Sequence, residues 1–489
     1  MKKDPPLPKE MWDRVPPDVQ AAIRALVEGL ERRITALEQE VRELKAQLNQ
    51  NSRNSSRPPS SDGPEVKRTP PREPSGRKRG GQPGHEQHKR SLVPAERVNK
   101  TEECKPKECR RCGGELRGED PQPYRHQVIE VLPIEPYVSE YRLHRLLCEK
   151  CGVWSRAPLP PGVPRGSFGP RLQSIVALCT GAYRMSKRMV VSFLADVLGV
   201  EISLGEVCQV EQTVAQALDP PAQQARVYVQ SQAANVDETT WWEQGRRGWL
   251  WVAVTSWVSV FFIRLSRGAK VLREIVGEGY REVLSSDRAK AYNTQPLRWR
   301  QICWAHLRRD FQAMVDRAGA GANIGRQLLE YSEVLFGWWY RVRDGTWARS
   351  TFKSYVSFLR ELVRQELEAG AQCACPKTAG TCRELLQVEP ALWTFVRVEG
   401  VEPTNNAAER ALRHAVQWRK TSYGTDSPAG SHFVENLLTV VATCRQQDRH
   451  VLDYLTACCQ AFYEGHVSPS LLPATPTALP ISKVALIRS

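Results

Sequence analysis

The feature that most constrains the fold is a run of strand-like segments that begins at Ala234. Apolar and polar residues alternate in three consecutive segments separated by short turns, which predicts an antiparallel meander. A helix and two further short strands follow, and another helix begins after the last strand. The predicted strands are 234–242, 248–256, 258–266, 282–286 and 300–303, and the predicted helices are 269–276 and one from residue 305 onward.

Two acidic residues occupy notable positions in this pattern. Asp237 lies on the first predicted strand, and Asp287 directly follows the fourth. Three antiparallel strands, a helix and two further strands are the order of a ribonuclease-H-like α/β fold, in which these two side chains lie side by side. A third acid, Glu409, lies far downstream in a helix-like run. We therefore expect a ribonuclease-H-like catalytic domain over residues 230–462.

Three clustered carboxylates indicate a divalent-metal site. Two Mg²⁺ or Mn²⁺ ions can stabilise both the attacking and the leaving oxygen of a phosphodiester, and Mg²⁺ prefers oxygen ligands. Without a cation, two carboxylates about 4 Å apart repel each other by roughly 4 kcal/mol at an effective dielectric of 20. Taken singly, Asp237 could end a strand, Asp287 could cap a helix and Glu409 could pair with an arginine one turn away. Only their conjunction predicts the metal site.

The charge balance favours a polyanionic partner. The 489 residues include 69 Lys and Arg against 54 Asp and Glu, a formal net charge of +15. Basic surface gains affinity for nucleic acid through counterion release, although an anionic membrane also attracts it. No apolar run approaches the roughly 20 residues of a membrane helix, and the start lacks the apolar region of a signal peptide. We expect a cytoplasmic protein whose 14 cysteines are reduced thiols and metal ligands.

Residues 15–50 show a heptad pattern. Apolar residues between Ile23 and Leu48 recur alternately four and three positions apart. β-Branched residues at most a positions and Leu at the d positions favour a parallel two-stranded coiled coil. We therefore expect a homodimer, or a higher oligomer, formed through this segment. A solitary amphipathic helix packed on its own protein is the alternative.

Residues 51–100 are rich in Ser, Pro, Gly and Arg and contain almost no apolar side chains. Such a segment cannot bury enough surface to fold alone, so it is predicted to be a linker. Its basic residues Arg77, Lys78 and Arg79 also suit an arm that lies on a DNA backbone or in a minor groove.

Two C-x-x-C-G motifs over residues 101–160 predict a zinc-ribbon-like unit, with short strands expected at 127–132 and 137–146. Each motif presents two thiolates from a tight turn, and two pairs complete the four-thiolate shell of a structural Zn²⁺. The predicted ligands are Cys109, Cys112, Cys148 and Cys151. Four structural cysteines without metal are the alternative.

The remaining segments are mostly helical in pattern. Residues 165–225 resemble a helix-turn-helix DNA-binding unit, although any small helical bundle gives a similar pattern. Residues from about 318 to 400 predict an all-helical insertion into the catalytic domain, whose aromatic residues either stack on bases or pack between helices. Cys373, Cys375 and Cys382 lack a clear fourth ligand, which argues against a second thiolate site. The tail 463–489 has no assigned role.

Several motifs together resemble transposases of the insertion-sequence-66 family. The resemblance covers roughly residues 20–462 and includes the heptads, the zinc motifs, Cys303-Trp304-Ala305-His306 and the surroundings of the three acids. The stretches that carry the resemblance are 51–60 (NSRNSSRPPS), 80–85 (GGQPGH), 234–240 (ANVDETT), 286–288 (SDR), 303–311 (CWAHLRRDF) and 405–413 (NNAAERALR), followed by Arg419-Lys420. Ser422-Tyr423-Gly424 departs from the family's apolar residues at that point.

The resemblance implies a DDE-type DNA transposase of a bacterium, associated with the nucleoid. Asp237, Asp287 and Glu409 would be the acidic triad that holds Mg²⁺ or Mn²⁺. His306 would position the scissile phosphate, unless the C-x-x-H motif is a buried core pair. The residues expected to contact the DNA backbone are Arg410, Arg413, Arg419 and Lys420.

The expected partners are double-stranded DNA, as element ends and target, and possible companion proteins of the same element. A dimeric, zinc-containing DNA-binding regulator without catalysis is the alternative function. It explains the residues before 230 equally well but leaves the three carboxylates without a role.

Overall fold

The structure is a computed structural model that describes residues 8–55, residue 62 and residues 91–473. The chain divides into two compact units, one of Met1–Val66, Ser139–Asp196 and Val200–Ser489, and one of Lys67–Val138 with Val197–Gly199. The larger unit contains the central sheet and most of the helices. No helix within the described ranges is long and apolar enough to cross a membrane.

Helices and strands of the described residues have the following bounds. The strands are β1 (Arg145–Leu147), β2 (Trp154–Arg156), β3 (Ala234–Glu243), β4 (Arg246–Val254), β5 (Ser259–Arg264), β6 (Leu284–Ser286) and β7 (Arg300–Ile302). The first seven α-helices are α1 (Lys9–Trp12), α2 (Pro17–Leu48), α3 (Pro170–Ala177), α4 (Lys187–Leu198), α5 (Leu204–Val229), α6 (Ala269–Val276) and α7 (Trp304–Asp316). The next seven are α8 (Ala320–Arg343), α9 (Arg349–Ala371), α10 (Pro376–Gln387), α11 (Thr394–Arg397), α12 (Asn406–Ser422), α13 (Pro428–Gln446) and α14 (Val451–Glu464). Short 3₁₀ helices occupy Ala95–Arg97, Lys290–Thr294, Leu297–Trp299 and Glu389–Leu392, and Leu178–Ala182 form a π-helical turn.

The central sheet has the order β5-β4-β3-β6-β7. β3, β4 and β5 pair antiparallel as a meander, and β6 and β7 continue the sheet parallel to β3. Gln244 and Gly245 form the turn between β3 and β4 and both have positive φ angles, 51° and 71°. This is the backbone that a tight two-residue hairpin requires. The prediction of a mixed α+β protein is confirmed.

One face of the sheet and its outer edge are covered by α12 and α13. Apolar side chains of β4 and β5 pack on both helices in one core. None of the described strands pairs with the outer side of β5, and side chains of α13 accept hydrogen bonds from its outward N–H groups. The N–H of Ser259 donates to Thr443 (3.1 Å) and that of Phe261 donates to Thr439 (3.0 Å). The helix thereby protects an edge that would otherwise be open to pairing.

The helices α7 to α11 form a second core beside β7. Four of these helices, α8 to α11, fall within the predicted insertion, and their aromatic residues mostly pack with one another. The ring centroids of Trp339 and Phe352 lie 5.5 Å apart, and Trp339 is buried. Trp338 stacks near Trp347 and Tyr355.

The helices α3 and α5 pack against α13 and α14. Ser203 and Glu206 form a reciprocal capping box at the start of α5, which fixes where this 26-residue helix begins. On its other end, Arg226 donates a hydrogen bond to Asn436 of α13 (2.9 Å). The helices α4 and α5 are separated by a short turn at Gly199, as a helix-turn-helix would be, but α5 also belongs to the packed core.

The prediction of strands at 127–132 and 137–146 is wrong. Residues 127–132 form no strand, and of residues 137–146 only the last two enter β1. Pro133 and Pro136 follow the first segment, and proline cannot donate to a sheet ladder. Alternating apolar residues without a partner strand do not form a strand, and the observed ribbon pairs β1 with β2 instead.

Candidate active site

The start of α12 is tied to β3 by Asn405. Its side-chain amide donates to the carbonyl of Val236 (2.9 Å), and its backbone N–H donates to the sulfur of Cys303 (3.1 Å). Asn405 is buried, so both hydrogen bonds are shielded from water. They fix the first turn of α12, which carries Glu409, beside the strand that carries Asp237.

The other two predicted acids influence Asp237 electrostatically. Burial raises the pKa of Asp237 well above its usual value, and the carboxylates of Glu238, Asp287 and Glu409 raise it further. Such coupling requires proximity in a poorly solvated region. The carboxylate oxygens of the three predicted acids nevertheless do not all lie within 4.8 Å of one another. Among the described residues, a different set of side chains meets that distance.

Asp287 sits at the turn that follows β6. The backbone N–H of Ala289 donates to its Oδ1 atom (2.8 Å), which orients the carboxylate. The buried guanidinium of Arg300 donates to its backbone carbonyl (3.2 Å). Both contacts hold the turn at the end of β6, next to β3 in the sheet.

Cys303, His306 and Glu409 form a compact group. One ligand atom of each lies within 4.8 Å of the others, the only such group of three or more found in the described segments. The Nδ1 atom of His306 is 3.5 Å from Oε1 of Glu409, and Arg309 lies 3.7 Å from Oε2. Burial lowers the pKa of His306 despite the adjacent carboxylate, and burial raises the pKa of Cys303 to about 12. His306 is therefore favoured as a neutral imidazole and Cys303 as a thiol.

Glu238 is a further residue of the site that is not among those predicted from the sequence. Its side chain points to the sheet face opposite Asp237, is fully buried and accepts hydrogen bonds from the Tyr292 hydroxyl and the Arg267 guanidinium. Arg267 also approaches Asp287, with Nη2 3.9 Å from Oδ2. A buried acid directly after a predicted catalytic acid was the available signal, but its partners are 29 and 54 residues away.

The predicted DNA-contact residues of α12 occupy different environments. Arg413 and Lys420 are exposed. Arg419 instead donates hydrogen bonds to the Thr239 hydroxyl (3.0 Å) and the Thr240 carbonyl (2.6 Å), so it joins α12 to β3. Arg410 is exposed and lines a cavity of about 100 Å³ together with Asn235 and other residues at the ends of β3, β4 and β6. Arg77, Lys78 and Arg79 lie outside the described residues.

A positive region surrounds His414 on α12. Burial lowers the pKa of His414, and Arg445, Arg184 and Arg413 lower it further. Three arginines near one imidazole repel one another unless an anion lies between them. This region is therefore suited to bind phosphate groups.

Each of the two predicted zinc motifs forms a tight loop. At the first, the N–H of Gly113 donates to the Cys109 carbonyl (2.9 Å), and at the second that of Gly152 donates to the Cys148 carbonyl (2.8 Å). Both glycines have positive φ, 72° and 70°. Backbone N–H groups of the loops lower the pKa of Cys109 and of Cys148, which favours the thiolates that bind metal. Cys373, Cys375 and Cys382 do not form a group of three ligand atoms within 4.8 Å of one another in the part of the chain that the structure describes.

Comparison with known proteins gives two family matches. Residues 6–91 match a family of unknown function, DUF6444. A curated relative, "Uncharacterized protein y4qI" of Sinorhizobium fredii, is 29% identical over 164 residues, which are 32% of this chain and 29% of the relative. The chain thus matches less than a third of that relative's length. Residues 165–432, more than half of the 489, match the family described as "Transposase IS66 family". The prediction of the family is confirmed, and the chain belongs to the IS66 family of transposases.

Proposed function

We propose that this transposase cleaves DNA at the ends of an insertion sequence and joins the freed ends to target DNA in a metal-dependent, DDE-type reaction. Asp237, Asp287 and Glu409 would be the three acids. The observation that carries the proposal is their electrostatic coupling across β3, β6 and α12, in a sheet whose strand order is that of a ribonuclease-H-like core. A regulator without catalysis would leave this coupled, destabilising cluster without a use.

The donor set suits Mg²⁺ or Mn²⁺. A divalent cation stabilises the charged form of a buried carboxylate such as Asp237, whose pKa is raised by burial and by the neighbouring carboxylates. In addition, Oε1 of Glu409 is buried and has no hydrogen-bond partner within the described residues. An orphaned carboxylate oxygen is an available metal ligand. Bound ions would supply the charge that stabilises the attacking and leaving oxygens of the phosphodiester.

The chain's own residues have distinct parts in this proposal. Asp237 and Asp287 present oxygens from two adjacent strands, and the hydrogen bond from Ala289 keeps the Asp287 carboxylate in place. Glu409 reaches the site from the first turn of α12, where Asn405 fixes the helix. His306 borders Glu409 and would orient it while facing the scissile phosphate.

Binding of double-stranded DNA would use the positive surface of α12. Arg413 and Lys420 are exposed on that helix, and Arg184 and Arg445 add charge around His414. Contacts of this kind fix the register of the duplex without reading its sequence. The helices α4 and α5 and the arm at 77–79 are further DNA-binding candidates, and companion proteins of the same element are further possible partners.

Two structural features would support the assembled enzyme. Cys109, Cys112, Cys148 and Cys151 would bind a structural Zn²⁺, for which their loops favour thiolates. The helix α2 would pair with that of a second copy, because its apolar seam is exposed, as at Leu30 (51%), Ile34 (55%) and Leu37 (53%).

The deciding experiment is a cleavage assay on labelled element ends with Mn²⁺. The wild-type protein should release 3′-hydroxyl ends. Asp237→Ala, Asp287→Ala and Glu409→Ala should each abolish cleavage and leave DNA binding largely intact. Asp448→Asn is the matched control, because Asp448 is exposed and has a positive φ of 54°, which asparagine tolerates. Cleavage retained by a triad variant would remove that residue from the proposal.

A further inference from the structure

We propose that Arg267 is a cation of the acidic site that pairs with both Glu238 and Asp287 in the metal-free enzyme and turns from Asp287 to the DNA backbone when the divalent ion binds. This inference rests on the proposed metal-dependent function. It assigns a positioning role to a residue that no sequence motif identified.

The contacts of Arg267 place it between two carboxylates. Its Nε atom donates to Oε1 of Glu238, and its Nη2 atom lies 3.9 Å from Oδ2 of Asp287. The first contact is a hydrogen bond, whereas the second is longer than one. Arg267 is thus anchored to Glu238 and only loosely paired with Asp287, so its outer nitrogens can change partner without loss of the anchor.

Glu238 is suited to be the anchor and not a metal ligand. Its side chain is fully buried (0% exposed), on the sheet face opposite Asp237, and its other oxygen accepts a hydrogen bond from the Tyr292 hydroxyl. Among the described residues, Arg267 is the only Lys or Arg whose side-chain nitrogens lie within 4 Å of the carboxylate oxygens of Glu238 or Asp287. A buried carboxylate without a cationic partner is costly, so the contact with Arg267 stabilises Glu238 in its buried position.

The free part of Arg267 faces solvent over an aromatic ring. The side chain is 43% exposed, and its Cζ atom lies 5.0 Å from the centroid of the Trp249 ring. The ring supports the planar guanidinium from below. An arginine held in this way presents N–H groups in a fixed fork that suits phosphate oxygens. DNA entering the site would therefore meet Arg267 beside Asp287.

A unit positive charge next to a metal-binding carboxylate competes with the metal for it. Removal of the Arg267 charge should strengthen metal binding. Removal of the Glu238 carboxylate should instead weaken metal binding, because Arg267 is then free to pair with Asp287. Substitutions of Arg267 and of Glu238, which form one ion pair, are thus expected to shift the metal affinity in opposite directions. A pair remote from the metal-binding carboxylates would leave the metal affinity nearly unchanged in both variants.

The test is Mn²⁺ binding to the full chain, measured by electron paramagnetic resonance of the free ion. Arg267→Gln should bind Mn²⁺ about five- to tenfold more tightly than wild type, and Glu238→Gln should bind it more weakly by a similar factor. Arg267→Gln should nevertheless cleave DNA more slowly and with a higher KM. Arg267→Lys, which retains the charge, should keep the wild-type affinity.

Controls separate this inference from the proposed function. Arg273→Gln on α6 is the matched arginine control, because Arg273 pairs with the exposed Glu278, and it should change neither affinity nor cleavage. Arg267→Met removes the charge but keeps the aliphatic stem on Trp249, and replaces Arg267→Gln if that variant melts early. Unchanged or weaker Mn²⁺ binding in the charge-removing variant would overturn the role of Arg267. If Asp237→Asn also leaves Mn²⁺ binding unchanged, the proposed metal site itself fails.

Discussion

The Nδ1 atom of His306 lies 3.5 Å from Oε1 of Glu409, and within the described part of the chain neither atom has a hydrogen-bond partner. The two groups face each other at slightly more than hydrogen-bonding distance in a buried region. Two unsatisfied polar atoms in contact are costly in a folded protein. They are explained if a ligand of the active site, or a small closure, completes the contact.

The first prediction concerns His306 as a positioning residue. His306→Ala should lower the rate of cleavage by about 10- to 100-fold, because Glu409 loses the group that orients it. His306→Asn should recover part of the rate, since its amide can occupy the position of Nδ1. Single-turnover cleavage at saturating DNA measures the effect on kcat, and the KM for DNA should change little.

A purely structural role would give a different result. His306→Ala and His306→Asn would then melt earlier and lose activity in proportion to the folded fraction. Equal rates for the two variants at full folding would also contradict the prediction.

The second prediction separates two arginines of α12 that the sequence pattern treats alike. Arg419 joins α12 to Thr239 and Thr240 of β3, so Arg419→Ala should lower the free energy of unfolding by about 1.5–3 kcal/mol. Arg413 is exposed, so Arg413→Ala should change stability by less than about 0.5 kcal/mol. Denaturant unfolding measures both values.

DNA binding should show the reverse order. Arg413→Ala should weaken binding and reduce by about one the slope of log K against log salt, because one phosphate contact is lost. Arg419→Ala, measured where it is fully folded, should keep the wild-type slope. A reduced slope in Arg419→Ala alone would show that Arg419 is the phosphate contact.

The order of the sheet was predictable because the signals are local. Strand alternation and a glycine turn at Gly245 lie within the segments they describe, and the structure reproduces the predicted order of three antiparallel strands, a helix and two short strands. The two parallel strands are shorter than expected. β6 begins two residues later than predicted, at Leu284, and β7 ends one residue earlier, at Ile302, because Cys303 is the N-cap of α7.

The contacts that complete the site were not predictable in the same way. Arg267 meets Glu238 across 29 residues, and Asn405 meets Val236 across 169. No local sequence pattern indicates the distant cation with which a buried acid pairs. The same limit applies to Arg419, whose basic side chain suggested DNA contact although its partners are hydroxyl and carbonyl groups of β3. Periodicity alone also failed at 127–132, where apolar alternation exists without a partner strand.

The third prediction concerns zinc. Protein purified without chelators should contain about one Zn²⁺ per chain, and Cys112→Ser or Cys151→Ser should lose it, because a closed structural site needs all four thiolates. Mass spectrometry for metals measures the content. Cys104→Ser is the matched control, since Cys104 is also exposed but belongs to neither motif. Zinc-free wild-type protein, or a zinc content unaffected by both variants, would contradict the assignment.

The last prediction concerns the exposed seam of α2. Apolar side chains along a 32-residue helix remain exposed from Leu26 to Leu48, and a second copy of the helix could cover them with a and d residues in register. Leu37→Asp should therefore convert a dimer to a monomer, because a charge in the seam costs several kcal/mol when buried. Sedimentation equilibrium of the full chain measures the change. Ala36→Asp places the same charge at the neighbouring exposed position, outside the seam, and should leave the dimer intact. A wild-type protein that is monomeric at high concentration, or equal dissociation by both variants, would show that the seam does not pair two copies.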